Sequence, residues 1–350
     1  MNQKKYYTFY SKHQSIYIFN INSYDSIIAS LDFYKPTNFL NQIKYLSMLL
    51  YLNLLRIAYP LAANQIKDEK EILEIISNLN SNINNLKLSQ DCSILISPTR
   101  EKIIIHYHEK KFKKIGFHNN YQKVKNEANI YNFLQTIDMQ NFNVPKISNE
   151  LDSKDNIYSF DISNKIDLTT NPQNIKDGLI ELFLTTKLNR ISLEIYISDL
   201  EKVLKENKII LQSVFTFLKK IKENHGYKII NLGFAHGDFK KANMVFKNQQ
   251  ILLFDFEESC LNEIPLYDYF NYIVDPLILN HSPVDIRNKL FNTKNVNFYN
   301  KYLKKIGDDI NFEILLSLYL VNKIIFYRLW GRDDYRNGFI SLFECLNEKK

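Results

Sequence analysis

Between residues 92 and 117 the chain has little choice of backbone. CSILIS, KIIIHYH and KFKKIGF are extended runs rich in β-branched and aromatic residues, and the pieces between them, PTRE and EK, are too short to hold a helix. This spacing predicts three consecutive antiparallel strands joined by tight turns. A helix is expected over 122–134, where Val124, Ala128, Tyr131 and Leu134 recur on one side. Val144–Ile147 and Ile157–Ile162 read as two further strands. Beyond them the pattern turns helical, at Ile175–Leu188, over Ile191–Asn224 with room for a break, at Pro283–Phe291 and at Phe312–Leu329. A compact antiparallel sheet followed by a helical remainder defines an α+β chain.

Residues 1–90 read as a separate, mainly helical extension. YYTFY and SIYIFNI suggest one hairpin, and the stretch after Pro36 carries helical periodicity. In Thr37–Ala58 apolar residues fall at Phe39, Leu40, Ile43, Leu46, Leu49, Leu50, Leu54 and Ile57, with Thr37 or Asn38 as the cap. Such a helix packs into a core or between domains; as an alternative, residues 37–58 form an amphipathic helix in peripheral contact with a membrane, with Lys44 and Arg56 as its cations. A second, more polar helix is expected at Glu69–Leu86. The domain division expected is therefore 1–90, 91–163 and 164–350.

Charge and cysteine usage narrow the function classes. The 45 basic and 38 acidic residues leave a net charge of +7 spread along the chain. Nucleic-acid binding asks for a denser basic stripe with interleaved aromatics, so no nucleic acid is expected as partner and smaller anions such as nucleotides are. Cys92, Cys260 and Cys345 are far apart and form no CxxC pair, which suits a reducing compartment. The N-terminus MNQKKYYTFYSKHQ has no apolar signal core, and no run of about 18 uncharged apolar residues occurs, so a cytoplasmic location is the expectation.

The chemistry is concentrated in Ile230–Glu258. His236-Gly237-Asp238 is followed by Asn243, and an apolar run then ends at Asp255-Phe256-Glu257. An aspartate on a tight loop can hold a hydroxyl. An asparagine oxygen and a second aspartate are hard ligands suited to Mg2+ between nucleotide phosphates. Taken singly, Asn243 would be a loop cap and Asp255 a helix cap; their joint spacing is what points to phosphoryl transfer.

With the strand-rich segment upstream, HGDFKKAN and the later DFE resemble the aminoglycoside phosphotransferase and choline kinase group, over roughly residues 92–340. The resemblance implies a protein-kinase-like two-lobe fold and an ATP- and Mg2+-dependent small-molecule kinase. In it, Asp238 is the catalytic aspartate, Asn243 and Asp255 hold the metal, and His236 supports the loop. Lys240 falls where protein kinases contact the γ-phosphate, or is a solvated cation. Lys114 would reach the α- and β-phosphates with Glu127 as its ion-pair partner, Lys113 being the alternative on the other face of the strand. Ser97, Thr99 and Arg100 fall in the phosphate loop, which departs from the group by containing Pro98 and no glycine.

Pro265-Leu266-Tyr267-Asp268 resembles the start of a buried helix, where Asp268 either braces the catalytic loop or serves as a first-turn carboxylate. Trp330, Arg332, Asp333, Asp334, Tyr335 and Arg336 form a corner able to hold a small-molecule acceptor, or a charged surface. The segment around Tyr34-Lys35-Pro36 looks similar to extensions on relatives that serve surface-polysaccharide assembly. Two other readings stay open: a pseudokinase, which would explain the poor phosphate loop, and a protein kinase, which would explain Lys240 but not HGD in place of HRD or DFE in place of DFG.

Overall fold

The computed structural model describes residues 5–10, 15–32, 39–57, 66–79, 92–97, 101–107, 111–153, 157–163, 175–247 and 250–347. They fall into two compact units, one comprising 1–136 and 144–167, the other 137–143 and 168–350.

The first unit is built on one eight-stranded sheet. Its strands are β1 (Lys5–Tyr10), β2 (Ile16–Asn20), β3 (Ile66–Asp68), β4 (Cys92–Ser97), β5 (Lys102–Tyr107), β6 (Lys111–Phe117), β8 (Lys146–Ser153) and β9 (Ile157–Ser163). Their order is β3-β1-β2-β4-β5-β6-β9-β8, with every neighbouring pair antiparallel. The three strands expected from residues 92–117 are β4, β5 and β6.

The N-terminal segment is not the separate extension anticipated from its helical periodicity. It gives three strands to the same sheet, and β2 pairs with β4 from Ile16↔Ile96 to Ile18↔Ile94. A two-stranded hairpin is at best marginally stable alone, and the unpaired edge of β4 is a ready template for it. One apolar cluster accordingly runs across the join, from Tyr6, Ile18, Ile72 and Ile76 to Ile94, Ile96, Ile103, Ile105, Ile115 and Phe117. Helices α1 (Tyr24–Asp32) and α2 (Phe39–Ile57) contribute to a second cluster with Tyr7, Phe19, Ile27, Leu52 and Leu55, and α3 (Glu69–Leu79) contributes Ile72 and Ile76 to the first. Along α2, Leu46, Leu50, Leu54 and Ile57 remain exposed at roughly one-turn spacing. Among the described residues no helix is long and apolar enough to cross a membrane.

Helix α4 (Tyr121–Gln135) follows β6. Its Val124 approaches so close that a Cβ on Gly116 would meet the valine side chain at 2.5 Å, so only glycine at this point of β6 admits the helix.

The second unit is mostly helical. It contains α5 (Ile175–Phe183), α6 (Leu193–Glu206), α7 (Gln212–His225), α8 (Tyr267–Val274), α9 (Pro283–Leu290), α10 (Thr293–Ile306), α11 (Phe312–Leu329) and α12 (Asp333–Asn347). The long helical pattern after Ile191 does break, at 207–211. α10 and α12 were not anticipated, because Asn and Lys dilute one pattern and the clustered charges of Asp333–Arg336 disguise the start of the other. Small sheets β10-β11-β14 and β12-β13-β7 complete the unit, formed by β7 (Phe142–Asn143), β10 (Asn189–Ser192), β11 (Ile229–Ala235), β12 (Met244–Lys247), β13 (Gln250–Leu253) and β14 (Cys260–Glu263).

Candidate active site

Strand β11 is buried from Ile230 to Ala235 and delivers the chain directly into His236-Gly237-Asp238. The turn is possible because Gly237 adopts φ +81°, and a Cβ there would lie 1.9 Å from the carbonyl oxygen of Glu258. Phe239 then plunges into the core against Phe142 and Tyr272. An apolar anchor immediately after the aspartate thereby fixes the loop from the other side.

Helix α8 holds this loop by its backbone. Asp268 accepts the N–H of His236 at 2.7 Å and of Gly237 at 3.0 Å, while Asn271 donates to the Gly237 carbonyl at 3.0 Å. Asp268 is thus both of the things its sequence position suggested, a first-turn carboxylate and the brace of the loop. Burial pushes its carboxyl above the usual range, opposed by the two backbone donors.

His236 is fully buried. Its Nε2 lies 2.7 Å from the carbonyl oxygen of Phe254, which can only accept, so the proton sits on Nε2. Nδ1 is left to accept the Asp238 N–H at 3.4 Å. Both ring nitrogens are therefore engaged with backbone.

The side chains that carry charge meet around Asp238. Its Oδ2 accepts from Lys240 Nζ at 2.6 Å and from Asn243 Nδ2 at 2.9 Å, and the same Asn243 amide also donates to the Asp238 carbonyl at 2.9 Å. With its amide nitrogen committed to Asp238, Asn243 has its amide oxygen as the ligand to offer. The β12–β13 hairpin brings the next ligand into place, pairing Met244 with Leu253, so that Phe254 N–H donates to the Asn243 carbonyl at 2.9 Å and Asp255 follows. Asp255 sits at φ +63°, a left-handed conformation that directs the chain away from the strand into a short turn. An amide oxygen and a carboxylate form a hard-oxygen donor set that fits Mg2+.

In the first unit, Lys114 and Glu127 form a buried ion pair at 2.6 Å, with side chains 6% and 0% exposed. Lys113 faces the other way and lies 3.7 Å from Asp161 near the surface, so of the two lysines it is Lys114 that pairs with Glu127. Ser97 ends β4, buried and paired with Lys102. Thr99 and Arg100 lie outside the described residues.

The Trp330–Arg336 corner runs from the C-cap of α11 into the first turn of α12. Arg332 binds Asp334 through two contacts of 3.1 and 3.0 Å, and Arg336 binds Asp333 at 2.9 Å, so most of its charge is paired locally. Tyr335 stacks on Tyr327 of α11 at 4.8 Å.

One residue with a place in this site escaped the sequence reading: Asn271. A signal was there, since Asp268, Asn271 and Asp275 interrupt the apolar run YDYFNYIVD at spacings of three and four and so share one helix face.

The chain has the protein-kinase-like two-lobe fold of the aminoglycoside phosphotransferases. It is similar to a thermostable mutant of aminoglycoside phosphotransferase APH(4)-Ia in ternary complex with AMP-PNP and hygromycin B, at 10% identity and TM-score 0.50, covering 78% of this chain and 98% of that one. Also similar are the GDP complex of wild-type aminoglycoside 2'-phosphotransferase-IIIa, at 12% identity and TM-score 0.48 over 79% and 98% of the two chains, and the gentamicin complex of APH(2")-IIa, at 16% and 0.44 over 77% and 95%. No family model matches the sequence, and no curated protein matches it.

Proposed function

We propose that this protein is a small-molecule kinase that moves the γ-phosphoryl group of ATP, with Mg2+, to a hydroxyl of its acceptor. The observation that carries this reading is the Asp238–Asn243–Asp255 arrangement, in which one asparagine ties the loop aspartate at 2.9 Å and the β12–β13 hairpin delivers the second aspartate beside it. A solved protein of this fold holds AMP-PNP and hygromycin B together, which supports a nucleotide and a small molecule bound at once.

In this reading Asp238 accepts a hydrogen bond from the acceptor hydroxyl and takes its proton as the oxygen attacks phosphorus. The new O–P bond forms as the bond to the β–γ bridging oxygen breaks, and ADP departs with the electron pair. Orientation is the larger part of the aspartate's work, because in a loose transition state the proton leaves late. Lys240, which donates to Asp238 at 2.6 Å, would exchange that contact for the γ-phosphate. Lys114, fixed by Glu127, neutralises the α- and β-phosphates. Asn243 and Asp255 would hold Mg2+, which neutralises charge on the β- and γ-oxygens when bound. His236, with both nitrogens on backbone, acts as a loop support.

The acceptor class proposed is a sugar or a glycan or lipid precursor of a surface polysaccharide, with cytoplasmic residence. The exposed Leu46, Leu50, Leu54 and Ile57 of α2, beside Arg56, favour peripheral contact with an anionic bilayer. Flotation with phosphatidylglycerol vesicles should carry the protein and should fail for Leu50→Glu.

Thermal shift with ATP tests the central claim. Stabilisation should require Mg2+ and disappear in Asp255→Ala, whereas Asp238→Ala should bind nucleotide and lose turnover in an ADP-release screen of acceptors. Indifference of the wild-type protein to ATP and Mg2+ would favour the pseudokinase.

A further inference from the structure

A second carboxylate and ammonium lie in the helical unit, unaccounted for by the roles above. Lys323 of α11 is 2% exposed, and the ring centroids of Tyr267, Tyr319, Phe326 and Tyr327 stand 5.5, 5.8, 5.4 and 5.8 Å from its Nζ. Asp275, at the C-terminal end of α8, is 3.7 Å away, with its side chain 11% exposed. Tyr327 donates to one Asp275 oxygen at 3.3 Å, and Tyr319 lies 3.5 Å from the other, its one proton shared with Asn271. All three contacts exceed ordinary hydrogen-bond lengths, roughly 2.5–3.0 Å for O–H···O and 2.7–3.2 Å for N–H···O. Enclosed charges ordinarily make short, charge-assisted bonds, because an undercoordinated one is costly.

The position of this pair ties it to the catalytic loop. Asn271, one turn before Asp275, holds the Gly237 carbonyl and accepts from Tyr319 at 3.3 Å. Burial raises the Asp275 carboxyl and Lys323 opposes that shift; Asp238 and Lys240 are near enough to act on it as well, and Asp238 also acts on Tyr327.

A hydroxyl has both the donor and the acceptor that a carboxylate and an ammonium 3.7 Å apart call for. It can donate to Asp275 and accept from Lys323, each at about 2.8 Å. An ammonium only donates and meets the like charge of Lys323; a phosphate only accepts and meets Asp275. We propose that Asp275 and Lys323 form a subsite for a second hydroxyl of the acceptor, so that the acceptor is a neutral polyhydroxy compound and neither an amino sugar nor a sugar phosphate. The inference rests on the kinase reading, and it names the two residues that would select the substrate.

The test is ligand-observed NMR on the full chain, with glucose, galactose and mannose as probes, each against its 2-amino-2-deoxy and 6-phosphate counterparts. Neutral sugars should bind better than either counterpart by about fivefold or more. Lys323→Met should turn the preference towards the amino sugars, and Asp275→Asn towards the 6-phosphates. Opposite shifts in two variants are not produced by a general loss of structure. If Lys323→Met fails to fold, the near-isosteric Asp275→Asn decides alone. Charged probes binding as tightly as neutral ones to the wild-type protein, both variants shifting the same way, or no probe binding at all would each overturn the subsite. Thermal shift with ATP and Mg2+ on the same samples separates the two claims. Nucleotide binding without sugar preference removes the subsite alone, and sugar preference without nucleotide binding removes the kinase reading alone.

Discussion

Asp268 accepts the backbone N–H of His236 at 2.7 Å, so the first turn of α8 dictates where the His236–Asp238 loop lies. The same carboxylate takes the Gly237 N–H, and both donors are left without that partner if it is removed. Asp268→Ala should therefore cost about 2–4 kcal/mol, read from the urea midpoint, because an orphaned buried donor is charged its full desolvation. Hydrogen exchange of the His236 and Gly237 amides should accelerate more than that of the β11 amides. Uniform acceleration along both would argue that Asp268 merely stabilises the unit.

Gly237→Ala should be among the most damaging single-methyl changes in the chain. The added Cβ would sit 1.9 Å from the Glu258 carbonyl, at φ +81°. A loss of at least about 3 kcal/mol is expected, since backbone must move as well as adopt strain. Gly307→Ala is the matched comparison: its φ is +70° with nothing within 4 Å, so only the conformational cost of about 1 kcal/mol applies. Equal melting-temperature losses in the two variants would contradict the steric account.

Lys114→Met should remove the ammonium 2.6 Å from the buried Glu127 carboxylate, at about 3–5 kcal/mol. Adding Glu127→Leu should restore much of that stability while leaving Mg2+-ATP binding lost. Urea unfolding of the double-mutant cycle measures the first effect and nucleotide thermal shift the second. A double variant as unstable as the sum of the singles would mean that the pair contributes more than charge compensation.

Glu263 supplies a pH signature. Burial pushes its carboxyl from 4.5 up to about 7, with Asp268 adding to the rise, and the Ile264 N–H and Lys323 opposing it. The folded state therefore holds this proton more tightly than the unfolded state. Its contribution is fully present below the unfolded value and is lost as pH rises through about 7. Between pH 5 and pH 8 the loss from this group is of the order of 3 kcal/mol. Glu263→Gln should flatten that part of the stability profile and leave the variant more stable than wild type at pH 8. Unfolding free energies at the two pH values check it; an unchanged slope would place the titration elsewhere, since Asp268, Asp275 and Asp308 are also raised by burial.

Local pattern determined a good deal of this protein. The strands β4, β5 and β6 follow from β-branched runs separated by turns too short for anything else. The spacing of Asp238, Asn243 and Asp255 was legible because a tight loop and a hairpin place near neighbours in sequence close in space. The side of β6 on which Lys114 lies was readable from strand alternation. Tertiary structure alone decided that β1, β2 and β3 extend the sheet, because pairing between β2 and β4 joins segments more than seventy residues apart and leaves no mark on either. It also decided the Asp268 brace and the Asp275–Lys323 pair. In both, a carboxylate gains its meaning from a partner that only packing brings near: the loop backbone above α8 in one case, and the side chain of α11 in the other.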